Sequence, residues 1–234
     1  MKDNTPPLQP DFTYHIYNRA NGNEKLFIKI ENYKFFLDKF TKHIFPIAET
    51  FCYCLMPNHF HFLVRIRSEK EILELIKANT SLLKLDTTLI KADSTLLKFE
   101  TLVKIENHLV KLNNQKIIEN YLSKQFSNLF SSYTQSFNKQ QNRKGNLFMH
   151  TFKRKKIENS NYLMKVVRYI HLNPVQANLC EFAKDYQHSS YKSLISKSVT
   201  LLNRDETISW FGDLENFIYM HRVSPDSEDI EFDN

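Results

Sequence analysis

The sequence lacks the features of a membrane or secreted protein. No apolar run approaches the roughly 20 residues of a membrane-spanning helix, and the first residues, MKDNTPPLQPDF, lack the charged-then-apolar order of a signal peptide. The three cysteines, Cys52, Cys54 and Cys180, are an odd number without the spacing of a zinc ribbon. A disulfide between Cys52 and Cys54, two residues apart on a strand, would be strained. We therefore expect reduced, packed thiols in a cytoplasmic protein.

The chain has enough apolar residues for a proper core and carries a modest positive charge. Hydrophobic residues make up 41% of its 234 residues, so it should fold alone. The length allows one domain with an insertion or two small domains, and we take 1–234 as a single domain. The formal net charge of +6, with an isoelectric point near 9.0, suits a polyanionic partner without establishing one.

Two histidines stand one residue apart in the stretch from Phe51 to Arg67, FCYCLMPNHFHFLVRIR. Because side chains alternate along a strand, His59 and His61 share one face, and the apolar residues that alternate with them share the other. Two imidazoles placed in this way can bind one divalent ion if a third ligand approaches from elsewhere in the fold. The alternative is that each histidine is a hydrogen-bonded polar residue on a partly exposed strand.

Hydrophobic periodicity predicts a mixed order of strands and helices around this stretch. Residues 12–19 and 47–55 read as strands, and 59–67 pairs antiparallel with the second of them across a short turn. Residues 30–45 and 69–78 have helical spacing. The order strand, helix, strand, strand, helix is most of a ferredoxin-like α+β sheet. We expect an antiparallel sheet with helices on one face.

Residues 80–113 repeat with a period of seven, as in TSLLKLD, TTLIKAD and STLLKFE. Their apolar positions follow the alternating three- and four-residue spacing of a coiled-coil seam. This pattern predicts an inserted helical arm, and the seam favours a homodimer, although packing against its own domain is equally compatible. Because threonine disfavours helices, a β-structured or loosely ordered repeat is the alternative.

A basic segment runs from Gln141 to Lys156, after a helix predicted over 117–137. It holds six lysines and arginines and no acidic residue, interleaved with Phe148 and Phe152. Cationic side chains beside aromatic rings are what single-stranded or hairpin DNA requires, and a solvated charged face is the alternative. The acidic tail at 225–234 has the opposite charge and could shield this segment.

A second candidate site lies in the helical stretch from Asn161 to Leu179. Tyr169 and Asn173 are four residues apart, so on a helix they lie one turn from each other. A phenol and a carboxamide placed there could supply a nucleophile and a metal ligand to one site. Pro174 disfavours helical geometry at the residue before it, so we expect the helix to end or kink at Asn173. The alternative is a packing tyrosine followed by an Asn-Pro turn.

Together these stretches resemble the single-tyrosine HUH transposases, most closely the REP-associated tyrosine transposase type. In that family a His-hydrophobic-His strand binds the metal, and a helical tyrosine before an Asn-Pro-Val turn attacks DNA. The resemblance spans roughly 12–67 and 117–220, while the repeat at 80–113 has no counterpart, and Met149 and Thr151 stand where relatives often have Gln and Arg. The matching blocks are YHIYNRANGNEKLF at 14–27, CLMPNHFHFLV at 54–64, GNLFMHTFKRKKI at 145–157, YIHLNPVQANL at 169–179 and SSYKSL at 189–194.

The resemblance implies a DNA transposase: a site-specific single-strand endonuclease and strand transferase that acts on hairpin-bearing DNA through a 5′-phosphotyrosine intermediate. Tyr169 is then the nucleophile, acting with its own histidine pair or with that of a partner subunit. The implied ligands of Mg²⁺ or Mn²⁺ are His59, His61 and Asn173. The implied nucleic-acid contacts are Arg19, Arg143, Lys144, Phe148, Lys153, Arg154, Lys155 and Lys156. A bacterial protein acting in the cytoplasm at the nucleoid is also implied.

Two other classes of protein fit the sequence less fully. One is a catalytically inactive relative that binds DNA or RNA through residues 143–156 without cutting. The other is a metal hydrolase without a nucleophilic tyrosine, which is disfavoured because no carboxylate lies near the histidine pair in the sequence to act as a base. An RNA-recognition domain would suit the predicted sheet, but no Arg/Lys-Gly-Phe-x-Phe signature stands on a predicted strand.

Overall fold

The structure is a computed structural model that describes residues 5–86 and 110–222. Its strands are β1 (Thr13–Arg19), β2 (Ala48–Met56), β3 (His59–Ile66) and β4 (Lys153–Ile157). Its helices are α1 (Ile30–His43), α2 (Glu69–Asp86), α3 (Val110–Gln140), α4 (Ser160–Gln176), α5 (Tyr191–Ile195), α6 (Arg204–Ser209) and α7 (Leu214–Met220). The predicted order of the first five elements is confirmed, and most of their ends shift by one or two residues; α2 instead continues well past residue 78.

The four strands form one antiparallel sheet in the order β2-β3-β1-β4. A tight turn joins β2 to β3, as the sequence predicts. The central strands β1 and β3 are in a register that sets Tyr17 opposite His61 and Arg19 opposite His59. Because opposite residues of paired strands point to the same face, these four side chains lie together at one end of the sheet.

One face of the sheet is covered by α1 and α3 through an aromatic core. Phe60 and Phe62 of β3 are buried on this face, and the Phe62 ring stacks on Phe40 of α1 with centroids 4.1 Å apart. Tyr133 of α3 closes the same cluster and donates its hydroxyl to the Leu26 carbonyl. The predicted alternation of β3 is therefore confirmed.

The other face of the sheet carries a second core beneath α4 and the C-terminal helices. Cys52 and Cys54 of β2 and Leu63 of β3 are buried there against Val167 and Ile170 of α4. The α+β fold class is confirmed, but helices lie on both faces rather than on one. The physical reason is that β2 is apolar on both sides, so its second face also needs cover from water.

The structure adds one strand that the sequence did not predict and corrects the predicted end of one helix. The end of the basic segment forms β4, the strand at the sheet edge, which has no apolar alternation because lysines are common on exposed edge strands. The helix α4 does not end at Asn173 but continues through Pro174 to Gln176. Packing of α4 against the sheet outweighs the backbone hydrogen bond that Pro174 cannot make. Asn178, in the left-handed conformation, follows the end of the helix.

The predicted inserted repeat lies largely outside the described residues. The helix α2 continues to Asp86 and α3 begins at Val110, so both ends of the 80–113 repeat are helical. Residues 87–109 and the acidic tail at 225–234 are not described, and the arm and its seam stay predictions. Within the described ranges, no helix combines the length and apolar character needed to cross a membrane.

The three cysteines are free thiols, as the sequence predicts. Cys52 and Cys54 are buried in the second core, and Cys180 is half-buried. Burial raises the pKa of the Cys52 and Cys54 thiols well above the usual value. Both are therefore inert packing residues rather than nucleophiles.

Candidate functional site

The two predicted histidines lie side by side at the start of β3, on the face that α4 crosses. The ring centroids of His59 and His61 are 5.1 Å apart. The Tyr169 ring on α4 lies against His61 with centroids 5.4 Å apart and the rings nearly perpendicular. The structure thus brings the helical tyrosine to the histidine pair, as the proposed family resemblance requires.

Asn173, one helical turn after Tyr169, joins the tyrosine to the histidines. Its Oδ1 is 3.0 Å from Nε2 of His59, and its side chain also hydrogen-bonds the Tyr169 phenol. Two ligand atoms bound to one divalent ion at about 2.1 Å and at right angles would be about 3 Å apart. The spacing of these two atoms therefore fits neighbouring positions around such an ion.

The hydrogen-bonding partners of His59 also fit a cation. Its Nδ1 is 2.7 Å from Oδ1 of Asn58, while its Nε2 faces Oδ1 of Asn173. Burial lowers the pKa of His59, the Asn173 contact raises it, and the Arg19 charge lowers it. A neutral imidazole has one N–H and can donate to only one of two amide oxygens. With that N–H given to Asn58, Nε2 and the Asn173 oxygen present lone pairs to the same space, which a metal ion would satisfy.

His61 is held from behind by His15, a residue that the sequence analysis missed. His15 Nε2 is 2.9 Å from His61 Nδ1, and the two rings are stacked with centroids 5.1 Å apart. Burial lowers the pKa of His61 well below its usual value, and the neighbouring His15 and His59 lower it further. Burial and the Lys155 charge lower the pKa of His15 to about 3. Both imidazoles are therefore neutral at pH 7, the form that binds metals.

The candidate ligands are two imidazoles and one amide oxygen. Among the residues that the structure describes, no group of three or more His, Cys, Asp or Glu side chains is placed to hold a metal ion. His59 and His61 therefore form part of a three-ligand set only if the Asn173 oxygen is the third ligand. Imidazole nitrogen and amide oxygen together suit divalent ions that accept both kinds of ligand, and water or a phosphate oxygen can fill the other positions.

Tyr169 is half-buried in surroundings that keep its phenol neutral. Burial raises its pKa, the hydrogen bond to Asn173 lowers it, and the nearby Tyr17 and Tyr162 raise it. Tyr17 also stacks on His61, with ring centroids 5.8 Å apart. A neutral phenol is a poor nucleophile, so the tyrosine must lose its proton during any attack.

An open cavity of about 320 Å³ gives access to these groups. Its lining includes His59, His61 and Tyr169, with Arg19 on the sheet side. The segment 149–151 forms another part of the lining, and within it Thr151 has a φ of 59°. A left-handed conformation is unfavourable for a β-branched residue and is found more often beside functional sites than elsewhere.

The strand β4 divides the predicted basic contacts between the two faces of the sheet. Lys153 lies opposite Tyr17 and lines the cavity, and Lys155 lies opposite His15 on the same face. The Lys155 ammonium lies 3.5 Å from the Tyr162 hydroxyl. These two lysines and Arg19 therefore form a positive border on the histidine side of the sheet.

Arg154 and Lys156 point away from the cavity. The Arg154 guanidinium donates to the Pro6 carbonyl, and the Lys156 ammonium lies 3.3 Å from the centre of the Phe12 ring. Both side chains hold the N-terminal segment against the sheet. The sequence could not separate them from Lys153 and Lys155, because the separation depends on a strand that its periodicity did not predict.

Two other predicted DNA contacts have structural partners. Arg143 forms an ion pair with Glu24, with Nη2 2.7 Å from the carboxylate, and donates to Asn138. Phe148 is 7% exposed and packs in the aromatic core, which leaves little of its ring open for the predicted contact with bases. Lys144 is exposed on the loop before it.

Comparisons with known proteins give a likeness of fold. No protein-family model matches the chain, and no curated protein matches it. The fold is similar to a solved structure described as a REP-associated tyrosine transposase bound to a REP hairpin. The TM-score is 0.52, with 84% of this chain and 87% of the other covered and 10% of residues identical. Identity this low shows a shared fold and leaves the chemistry to the residues of this chain.

Proposed function

We propose that this protein is a metal-dependent single-strand DNA endonuclease and strand transferase of the tyrosine transposase kind, acting on hairpin-bearing DNA. The observation that carries the proposal is the convergence of Tyr169, His59 and His61 at one cavity. Asn173 contacts both His59 and Tyr169 from beside that cavity. The likeness of fold to a hairpin-bound tyrosine transposase supports DNA as the partner. The positive border of Arg19, Lys153 and Lys155 supports it as well, because cations neutralise backbone phosphates.

In this proposal the Tyr169 oxygen attacks the phosphorus of a DNA phosphodiester. A tyrosine–phosphorus ester forms at the 5′ side, the bond to the 3′ oxygen breaks, and that oxygen takes a proton to become a 3′-hydroxyl. The phenolic proton passes to solvent or to a neighbouring base. Because one phosphodiester replaces another, a second 3′-hydroxyl can reverse the step and join two strands without a nucleotide cofactor.

The side chains around Tyr169 have distinct tasks in this reaction. His59, His61 and Asn173 would hold Mg²⁺ or Mn²⁺, which when bound would supply Lewis acidity at the scissile phosphate. Asn173 stabilises the developing phenolate, since its hydrogen bond lowers the pKa of Tyr169. Because imidazoles also suit Zn²⁺, we expect zinc to bind without supporting turnover.

The test is a covalent adduct between protein and DNA. Labelled single-stranded hairpin DNA incubated with the protein and Mn²⁺ should give a band that survives a denaturing gel. Tyr169→Phe removes the attacking oxygen and should abolish the band. Tyr219→Phe is the matched control, since Tyr219 is exposed on α7 and does not line the cavity. An adduct of wild-type intensity in Tyr169→Phe would refute Tyr169 as the nucleophile.

The same assay separates catalysis from binding alone. The double variant His59→Ala/His61→Ala should bind the hairpin and form no adduct, because the lysine border is intact and the ligands are gone. If the wild type also binds without cutting, whichever divalent ion is supplied, the chain is a binding module rather than an enzyme.

A further inference from the structure

His15 is the buried titratable group closest to the proposed metal ligands that the reaction does not use. It is fully buried on β1, next to Tyr17, and its Nε2 contacts Nδ1 of His61 at 2.9 Å. The Tyr169 ring lies edge-on to it, with centroids 5.9 Å apart. His15 therefore touches a proposed ligand and the proposed nucleophile without lining the cavity.

The contact between the two imidazoles allows only two arrangements of the proton between them. A hydrogen bond between two ring nitrogens needs one N–H and one lone pair. If His61 binds a metal through Nε2, its proton lies on Nδ1, and that N–H needs an acceptor. The His15 Nε2 lone pair is placed to be that acceptor.

We infer that His15 is a positioning residue of the metal site: by accepting the Nδ1 proton of His61, it keeps the Nε2 lone pair of His61 directed to the cavity. The inference rests on the proposed function, because it takes His61 as a metal ligand.

Calorimetric titration of the metal-free full-length protein with Mn²⁺, without DNA, measures this role. His15→Leu removes the acceptor and should weaken Mn²⁺ binding by about 10- to 100-fold, the usual effect of losing such a partner. His15→Gln retains an amide oxygen as acceptor and should recover most of the affinity. His221→Phe removes another buried histidine, which contacts His171 and lies outside the cavity lining, and should leave Mn²⁺ affinity unchanged.

Nitrogen NMR of the metal-free wild type gives a second readout that does not depend on metal binding or on the variants. Long-range proton–nitrogen spectra should show His61 protonated on Nδ1 and bare on Nε2. A proton on Nε2 of His61, or His15→Leu binding Mn²⁺ as tightly as the wild type, would overturn the inference alone. A wild type that binds no Mn²⁺ would overturn both the inference and the metal dependence proposed above.

Discussion

His171 lies between Tyr169 and Asn173 in the sequence but faces away from the cavity, into a buried chain of hydrogen bonds. Its Nε2 is 2.8 Å from the Ser190 hydroxyl, and its Nδ1 is 3.0 Å from Nε2 of His221. His221 in turn is 2.7 Å from the Phe217 carbonyl through Nδ1. All three contacts are satisfied if each histidine is neutral and donates from Nδ1. These hydrogen bonds thus tie the helix that carries the proposed nucleophile to the C-terminal helix α7.

This chain of histidines predicts loss of stability in mild acid. Burial lowers the pKa of His221 to about 4, against the opposing effect of the Phe217 carbonyl, and burial also lowers that of His171. The unfolded chain takes up these protons near pH 6.5, so stability falls as pH drops from about 6.5 to about 4. Each histidine contributes up to about 1.4 kcal/mol per pH unit within that window.

Urea denaturation of the wild type and His221→Phe at pH 7.5 and pH 5 measures this effect. The variant should lose less stability between the two pH values than the wild type does, because one proton-binding difference has been removed. Equal losses would show that His221 does not titrate in the way its burial implies. The buried histidines that do not contact His221, such as His15 and His61, are the same in both proteins and cancel in the comparison.

Short-range spacing accounts for the part of the candidate site that the sequence predicts. His59 and His61 are two apart on a strand, and Tyr169 and Asn173 are four apart on a helix, so each pair follows from local geometry. His15 escapes such reasoning because its contact with His61 depends on the register between β1 and β3. The one sequence signal is that His15, Tyr17 and Arg19 share a face in a strand of alternating residues.

At the scale of the elements, β4 was the strand that periodicity missed. Its sequence, KRKKI, contains one apolar residue, so no pattern distinguishes a strand from a charged loop. Only pairing with β1 shows that its four basic side chains alternate between faces. Local sequence also failed to predict where α4 ends. Pro174 disfavours helical geometry at Asn173, but packing of the helix against the sheet overrides that preference.

The alternation along β4 predicts two classes of basic residue. Lys153→Ala/Lys155→Ala removes two cations on the cavity face, so the salt dependence of hairpin binding should fall by about two units of log–log slope. Arg154→Ala/Lys156→Ala is the matched pair from the opposite face and should leave the slope unchanged. Fluorescence anisotropy across a salt series measures both. Equal slopes in the two double variants would place the DNA elsewhere.

At the scale of the whole molecule, the seven-residue repeat predicts a homodimer. A seam of about thirty residues on a helix is roughly 45 Å long at 1.5 Å per residue, more than a small sheet can cover. A second chain can bury the remainder. Two active sites would also serve a reaction that brings two strand ends together.

Sedimentation equilibrium tests this assembly. The full-length chain should be dimeric at tens of micromolar, and a version with residues 80–113 replaced by a short Gly/Ser linker should be monomeric. A full-length protein that stays monomeric both alone and with hairpin DNA would exclude the dimer. A linker version that still dimerises would move the contact away from the repeat.

The proposed ligands His59, His61 and Asn173 carry no formal charge between them. An ion bound by these side chains keeps its full double charge until a DNA phosphate arrives beside it. Binding of the ion should therefore strengthen binding of the nucleic acid. By thermodynamic reciprocity, the nucleic acid increases the affinity for the ion by the same factor. The protein would then hold an ion loosely when the cavity is empty and firmly once a strand lies in it, so that the substrate itself would assemble the reactive state.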